Sequence, residues 1–135
     1  AGMGFSNVGL GIVHSMAHPL SAVYDIPHGV ACAILLTPVL KFNAPSTADK
    51  YRDIAVAMGV KNTEDMSIEQ ARQACIEAVE KLSVDVGIPQ KLTQLGVKEE
   101  DLQFLSESAF VDACTPGNPR DVSVEAIKEI YKSIM

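Results

Sequence analysis

The stretch Ser67-Ile68-Glu69-Gln70-Ala71-Arg72-Gln73-Ala74-Cys75-Ile76-Glu77-Ala78-Val79-Glu80-Lys81-Leu82-Ser83-Val84-Asp85-Val86-Gly87 reads as a helix from one cap to the other. Ser67 followed by Gln70 is a capping box, in which each side chain satisfies a backbone N–H of the first turn. Ala71, Cys75, Ala78, Val79 and Leu82 recur at helical spacing and predict the inner face. Gly87 ends the helix, since glycine accepts the left-handed backbone that a helix terminus favours.

The rest of the chain has the same grammar. Residues 4–17 place Phe5, Val8, Ile12 and Val13 at helical spacing and predict one buried helix, although Gly4, Gly9 and Gly11 interrupt it. Pro19 either opens a new segment or kinks the old one. The apolar run from Val30 to Leu40 is too unrelieved for a surface helix, and Pro38 kinks it or ends it near Leu36 or Thr37. Ser46 or Thr47 caps a helix that runs to Met58 with Tyr51, Ile54, Ala55 and Met58 on one face, and Gly59 stops it. Pro89 starts a short helix that stops at Gly96. Lys98 to Ala113 predicts a helix with Leu102, Leu105, Ala109 and Phe110 inward, and Cys114 to Arg120 is a loop. Ser123 caps a last helix carrying Ile127, Ile130, Tyr131 and Ile134. No segment keeps the alternation of a half-buried strand, so the expected fold is an all-α orthogonal bundle of about seven helices.

Composition narrows the function classes. The 135 residues are 47% hydrophobic and 21% charged, which is the balance of one globular domain. The net charge of −6 argues against a nucleic-acid backbone or an anionic membrane as the main partner. The longest fully apolar run, Val30 to Leu36, is far shorter than the roughly 18 residues of a membrane span. Cys32, Cys75 and Cys114 form no CxxC pair and suit a reducing, cytoplasmic setting.

The three histidines, His14, His18 and His28, all lie near the start of the chain. His14 and His18 share a helix face at i,i+4, and His28 lies across a turn that can fold back against them. Imidazole is the usual nitrogen ligand of Fe, Zn, Co or Ni. The spacing leaves two readings open, a metal site or hydrogen-bonded core histidines. No glutamate stands between His14 and His18, so this is not a zincin. Asp25, the nearest carboxylate, either orients a histidine or caps a turn. The glycines from Gly2 to Gly11 lack the Lys-Ser/Thr end of a phosphate loop. No base adjoins Cys114, which favours a structural role.

Gly2-Met3-Gly4-Phe5-Ser6-Asn7, Gly9-Leu10-Gly11, His14-Ser15-Met16-Ala17-His18-Pro19-Leu20 and Pro27-His28-Gly29-Val30 together resemble the signature of the iron-containing (group III) alcohol dehydrogenases. Lys50 to Ala55, Val86 to Pro89, Cys114-Thr115 and Gly117 to Arg120 extend the likeness over nearly the whole chain, and it is strongest to the lactaldehyde reductase branch. The resemblance implies the distal part of a C-terminal helical metal-binding domain, with an N-terminal α/β NAD(P)-binding domain absent from these 135 residues. It implies Fe²⁺, or Zn²⁺, held by an Asp and three His, of which His14 and His28 match two and the others lie upstream. His18 then matches the histidine beside substrate and nicotinamide, catalytic rather than ligating. Phe5, Leu10 and Cys114 match positions of the substrate pocket. The implied reaction is hydride exchange between NAD(P) and a small alcohol, diol or aldehyde, with the segment alone inactive and prone to dimerise or otherwise self-associate.

Cys32 departs from the family pattern, which usually has Asn there; a thiol packs as a small hydrophobe and cannot reproduce an amide's hydrogen bonds. The competing readings are a non-enzymatic helical interaction module and a small metal-binding protein with Asp25 as a ligand.

Overall fold

A computed structural model describes residues 2–135, apart from the side chain of Phe5, so the assignment of Phe5 to a pocket lies outside the described residues. Seven α-helices and five short 3-10 turns occur among the described residues, and no strand occurs among them. They are α1 (Gly2–Val8), α2 (Ile12–Tyr24), α3 (His28–Asn43), α4 (Lys50–Ala57), α5 (Ile68–Asp85), α6 (Leu102–Phe110) and α7 (Val124–Lys132).

Helix α2 packs against α3 and α6, and α6 packs against α7. Their shared core holds Ile12, Met16, Leu20, Leu35, Leu105 and Tyr131, all fully buried. The Tyr131 hydroxyl donates to the Met16 carbonyl (2.6 Å), and burial pushes its pKa far up. A second, smaller core joins α4 to α5 through Tyr51, Ala55, Cys75 and Ile76. The capping box of α5 is present as read, with Gln70 N–H donating to Ser67 Oγ (3.2 Å) and Ser67 N–H to Gln70 Oε1 (2.8 Å). Ser123 caps α7 by accepting from Ala126 N–H (3.1 Å).

Several expectations need correction. The helix expected over 4–17 is two helices, because Gly9 adopts φ +79° and breaks the run before Gly11 opens α2. Pro19 and Pro38 lie inside α2 and α3 and end neither. Each proline removes one backbone hydrogen bond, but buried neighbours on both sides (Met16, Ala17 and Leu20; Leu35 and Val39) keep the helix going past it. Helix α4 starts at Lys50 with no side-chain cap, since the Thr47 hydroxyl donates instead to the Ala44 carbonyl. The segment after Pro89 is only a 3-10 turn, Leu92–Leu95, closed by Gly96 at φ +81°. Helix α6 stops at Phe110, not Ala113, because the Asp112 side chain accepts from the Cys114 N–H and turns the chain.

Burial also differs at the helix edges. Ile54, Met58, Leu82 and Phe110, expected inward, are 36–49% exposed. Leu82 borders an open apolar cavity of about 190 Å³ with Ala33, Leu36, Val79 and Val86. Residues His28–Ser46 are long and apolar enough, by length and composition alone, to cross a bilayer, unlike the uninterrupted apolar run Val30 to Leu36. Here the stretch is central to the bundle, with Ala31, Ile34, Leu35 and Val39 buried.

Candidate metal centre

The persistence of α2 through Pro19 keeps His14 and His18 on one face, a turn apart. Pro27 precedes α3 and sets His28 at its first position, with no acidic side chain in the first turn. The short turn between the helices brings the His28 ring to both partners. Its centroid is 5.5 Å from that of His14, tilted by 49°, and 5.3 Å from that of His18, stacked at 20°.

The cluster divides chemically. His14, His28 and Cys32 place one donor atom each within 4.8 Å of one another. His18 belongs to a different group, with Asp112 and Cys114. Its Nδ1 lies 2.7 Å from Asp112 Oδ2, while the other Asp112 oxygen accepts the Cys114 N–H at 2.8 Å. An imidazole bonded this way donates Nδ1–H and keeps the Nε2 lone pair free. Of the two uses open to Asp25, the turn is the one seen: it closes α2 in the left-handed conformation at φ 54°. The carboxylate at a histidine is Asp112, which no sequence signal singled out.

Electrostatics keep these groups in usable states. Burial, and then the charges of His28 and His18, hold the His14 pKa below its ordinary value, so its imidazole is neutral near pH 7 and free to donate a lone pair. Burial raises the Asp112 carboxyl, but the Cys114 N–H, His18 and the Cys114 thiol outweigh it and hold the group below the usual value. Burial, then Asp112, pushes the Cys114 thiol up, away from nucleophilic use.

Loop 114–120 supports this arrangement. A Cβ on Gly117 would fall 2.0 Å from the Leu10 carbonyl oxygen, so only glycine lets the loop lie against the start of α2. Asn118 and Asn43 exchange amide hydrogen bonds (2.9 and 2.8 Å), and the Arg120 guanidinium lies over the Phe42 ring. Thr115 donates to the Ala109 carbonyl and contacts Ser15 Oγ. These contacts fix the turn carrying Asp112 against α2. Leu10 and His14 border one open groove of about 430 Å³, while His18 and Asp112 border another of about 250 Å³ with Val23 and Phe104. Cys114 is half-buried next to Asp112.

The donor set fits a divalent transition metal in part: two imidazoles converge, and further donors are needed to complete a shell. No strand–turn–helix unit for a dinucleotide occurs among the described residues.

Known proteins share this sequence and fold. The chain is 59% identical over 131 residues to lactaldehyde reductase of Escherichia coli K12, covering 97% of the chain and 34% of the relative. It is 46% identical over 132 residues to 1,3-propanediol dehydrogenase of Citrobacter freundii, again covering 34% of that protein. The solved structure of an alcohol dehydrogenase from Oenococcus oeni superposes with a TM-score of 0.94 at 39% identity, over 99% of this chain and 35% of that one. A 1,3-propanediol oxidoreductase structure gives 0.90 at 42% identity, over 93% of this chain and 33% of that one. The chain therefore spans about a third of the length of these relatives. Residues 1–135 match throughout the C-terminal part of the Fe-containing alcohol dehydrogenase family, and the chain belongs to that family.

Proposed function

We propose that this chain is the metal-binding part of an NAD(P)- and metal-dependent alcohol dehydrogenase that interconverts a small alcohol or diol and its aldehyde. The names of its relatives, lactaldehyde reductase and 1,3-propanediol dehydrogenase, support a substrate of that size. The remaining ligands and an N-terminal α/β nucleotide-binding domain belong to the part of the relatives' length that this chain does not span.

The observation that carries the reading is the division of labour among the histidines. His14 and His28 converge on a common point, while His18 is engaged by Asp112. His14 and His28 hold the metal, iron or zinc. An ion held there would supply Lewis-acid polarisation of an alcohol or aldehyde oxygen, and an NAD(P) cofactor would supply the hydride chemistry. Asp112 accepts Nδ1–H from His18 and fixes the tautomer, so Nε2 is the atom that takes or gives the alcohol proton. Leu10 and Cys114 border the substrate.

Metal content and steady-state kinetics of variants in the full polypeptide test this reading. His14→Ala and His28→Ala are expected to lose bound metal and activity together. His18→Ala keeps the metal and loses turnover. Metal retained in both ligand variants overturns the centre, and metal lost from His18→Ala overturns its assignment as a non-ligand.

A further inference from the structure

We propose that the cavity between the C-terminal turns of α3 and α5 and the segments 90–91 and 133–134 binds a small hydroxylated oxyanion, a hydroxy acid or a polyol phosphate. The site is separate from the metal centre. Lys41, which borders the cavity, lies near the other end of α3 from His28, about 20 Å along the helix axis.

The cavity holds about 310 Å³, enough for a small molecule, and is more closed than the grooves beside the histidines. Thr37 borders it and is only 9% exposed. Its hydroxyl opens on the cavity with no protein partner among the described hydrogen bonds, although a buried hydroxyl ordinarily finds one. Two lysines and one glutamate border the same space, a local excess of positive charge on a chain whose net charge is −6. Lys41 is engaged by Glu80, with Nζ 3.2 Å from Oε1. Lys91 joins no ion pair among the described residues, so its ammonium is left to a ligand.

The remaining polar groups divide into donors and acceptors. Ser83 Oγ accepts from Gln90 Nε2 (3.1 Å), so its own proton remains to be given. Gln90 Nε2 is spent on Ser83 and on the Ile88 carbonyl (2.6 Å), which leaves Oε1 as an acceptor. Ser133 donates to the Ile130 carbonyl (2.7 Å) and keeps its lone pairs. The carbonyls of Leu82, Ser83 and Val84 at the end of α5 are already taken by the N–H groups of Val86, Ile88 and Gly87. The free donors, on Lys91, Thr37 and Ser83, match an oxyanion. The free acceptors, on Gln90 and Ser133, match hydroxyl groups carried by the same molecule. Two ammonium groups repel a metal cation, and a hydrocarbon would leave every one of these groups unpaired.

Isothermal titration calorimetry of the full polypeptide tests the site. Glycerate and glycerol 3-phosphate carry both charge and hydroxyls, glycerol lacks the charge, and inorganic phosphate lacks the polyol. At least one of the first two is expected to saturate a single site, about tenfold or more tighter than glycerol or phosphate, and the tighter of them identifies the oxyanion. Lys91→Ala weakens that binding about tenfold or more and Thr37→Val about threefold or more, the scale of losing a charged and a neutral hydrogen bond. Circular dichroism shows whether each variant remains helical. The double variant His14→Ala/His28→Ala binds the same probe unchanged, which separates this site from the metal centre. No saturable binding, binding equalled by phosphate alone, binding indifferent to both Lys91→Ala and Thr37→Val, or binding lost in the histidine double variant overturns the proposal.

Discussion

His18 on α2 and Asp112 in the turn after α6 meet across 94 residues of sequence, with Nδ1 and Oδ2 2.7 Å apart. The pair is made by three independent local structures: a helix that continues through Pro19, a turn closed by Asp112 itself, and a loop pressed onto Leu10. Its consequence is a histidine with one nitrogen committed and the other free.

Asp112 is a positioning residue for His18, so its removal should act on turnover and not on metal content. Asp112→Ala in the full polypeptide is expected to lower kcat about 10- to 100-fold, the range found for groups that orient histidines. Asp112→Asn retains an oxygen that accepts Nδ1–H and recovers part of the loss. Elemental analysis beside steady-state kinetics checks this; an unchanged kcat in Asp112→Ala would refute the role.

The Asp112 carboxyl also links stability to pH. Burial raises its pKa, yet the Cys114 N–H, His18 and the Cys114 thiol together bring it below the ordinary value. A folded pKa below the unfolded one means stabilisation that is complete above the unfolded value, about 4, and lost as pH falls through the folded value. Urea unfolding of wild type and Asp112→Asn at a series of pH values should therefore show a gap that is full near neutrality and closes as the pH falls through the folded value. A gap independent of pH would mean that the charge contributes nothing.

Gly117→Ala forces a Cβ to within 2.0 Å of the Leu10 carbonyl, so the loop or the start of α2 must move. Overpacking of this kind costs about 1–3 kcal/mol, and more where backbone is the obstacle. Gly29→Ala, at a helical position with nothing near the added methyl, provides the contrast and should be neutral or slightly stabilising. Denaturant midpoints of the two variants measure the difference; equal midpoints would contradict the close approach.

Asn43 and Asn118 satisfy each other by paired amide bonds in a part-buried setting. Truncating either to Ala removes both amide bonds of the pair and should cost about 1–3 kcal/mol, less for Asn43→Ala, where the Asn118 amide still donates to the Arg120 carbonyl. The double variant should cost less than the sum, with a coupling of about 0.5–3 kcal/mol. A double-mutant cycle of unfolding free energies gives the coupling directly, and strict additivity would show the pair to be energetically independent.

How much was legible varied with the range of the determining interactions. Helices α5 and α7 could be read because their caps and apolar faces lie within a few residues of one another, as at Ser67 with Gln70 and Ser123 with Ala126. The break between α1 and α2 is absent from the expected single helix over 4–17 because helical spacing continues across Gly9, whose positive φ leaves no mark on that pattern. At Pro19 and Pro38 the reading left a break open, and both helices continue past them because burial on both sides outweighs a local preference. Leu82 and Phe110 looked inward because periodicity marks an apolar face without saying whether a neighbour reaches it.

The sequence by itself determined that the chain is helical, where its best helices begin, and that its three histidines gather near one end. Those properties depend on backbone propensity, capping and spacing along a single segment. Only the tertiary structure decided which histidine stands with which partner: His28 with His14 and Cys32, His18 with Asp112. The last of these depends on the packing of α2 against α6 and on the contact between Gly117 and Leu10. Contacts between residues so far apart are set by the shape of the packed core, and no local pattern in the chain encodes them.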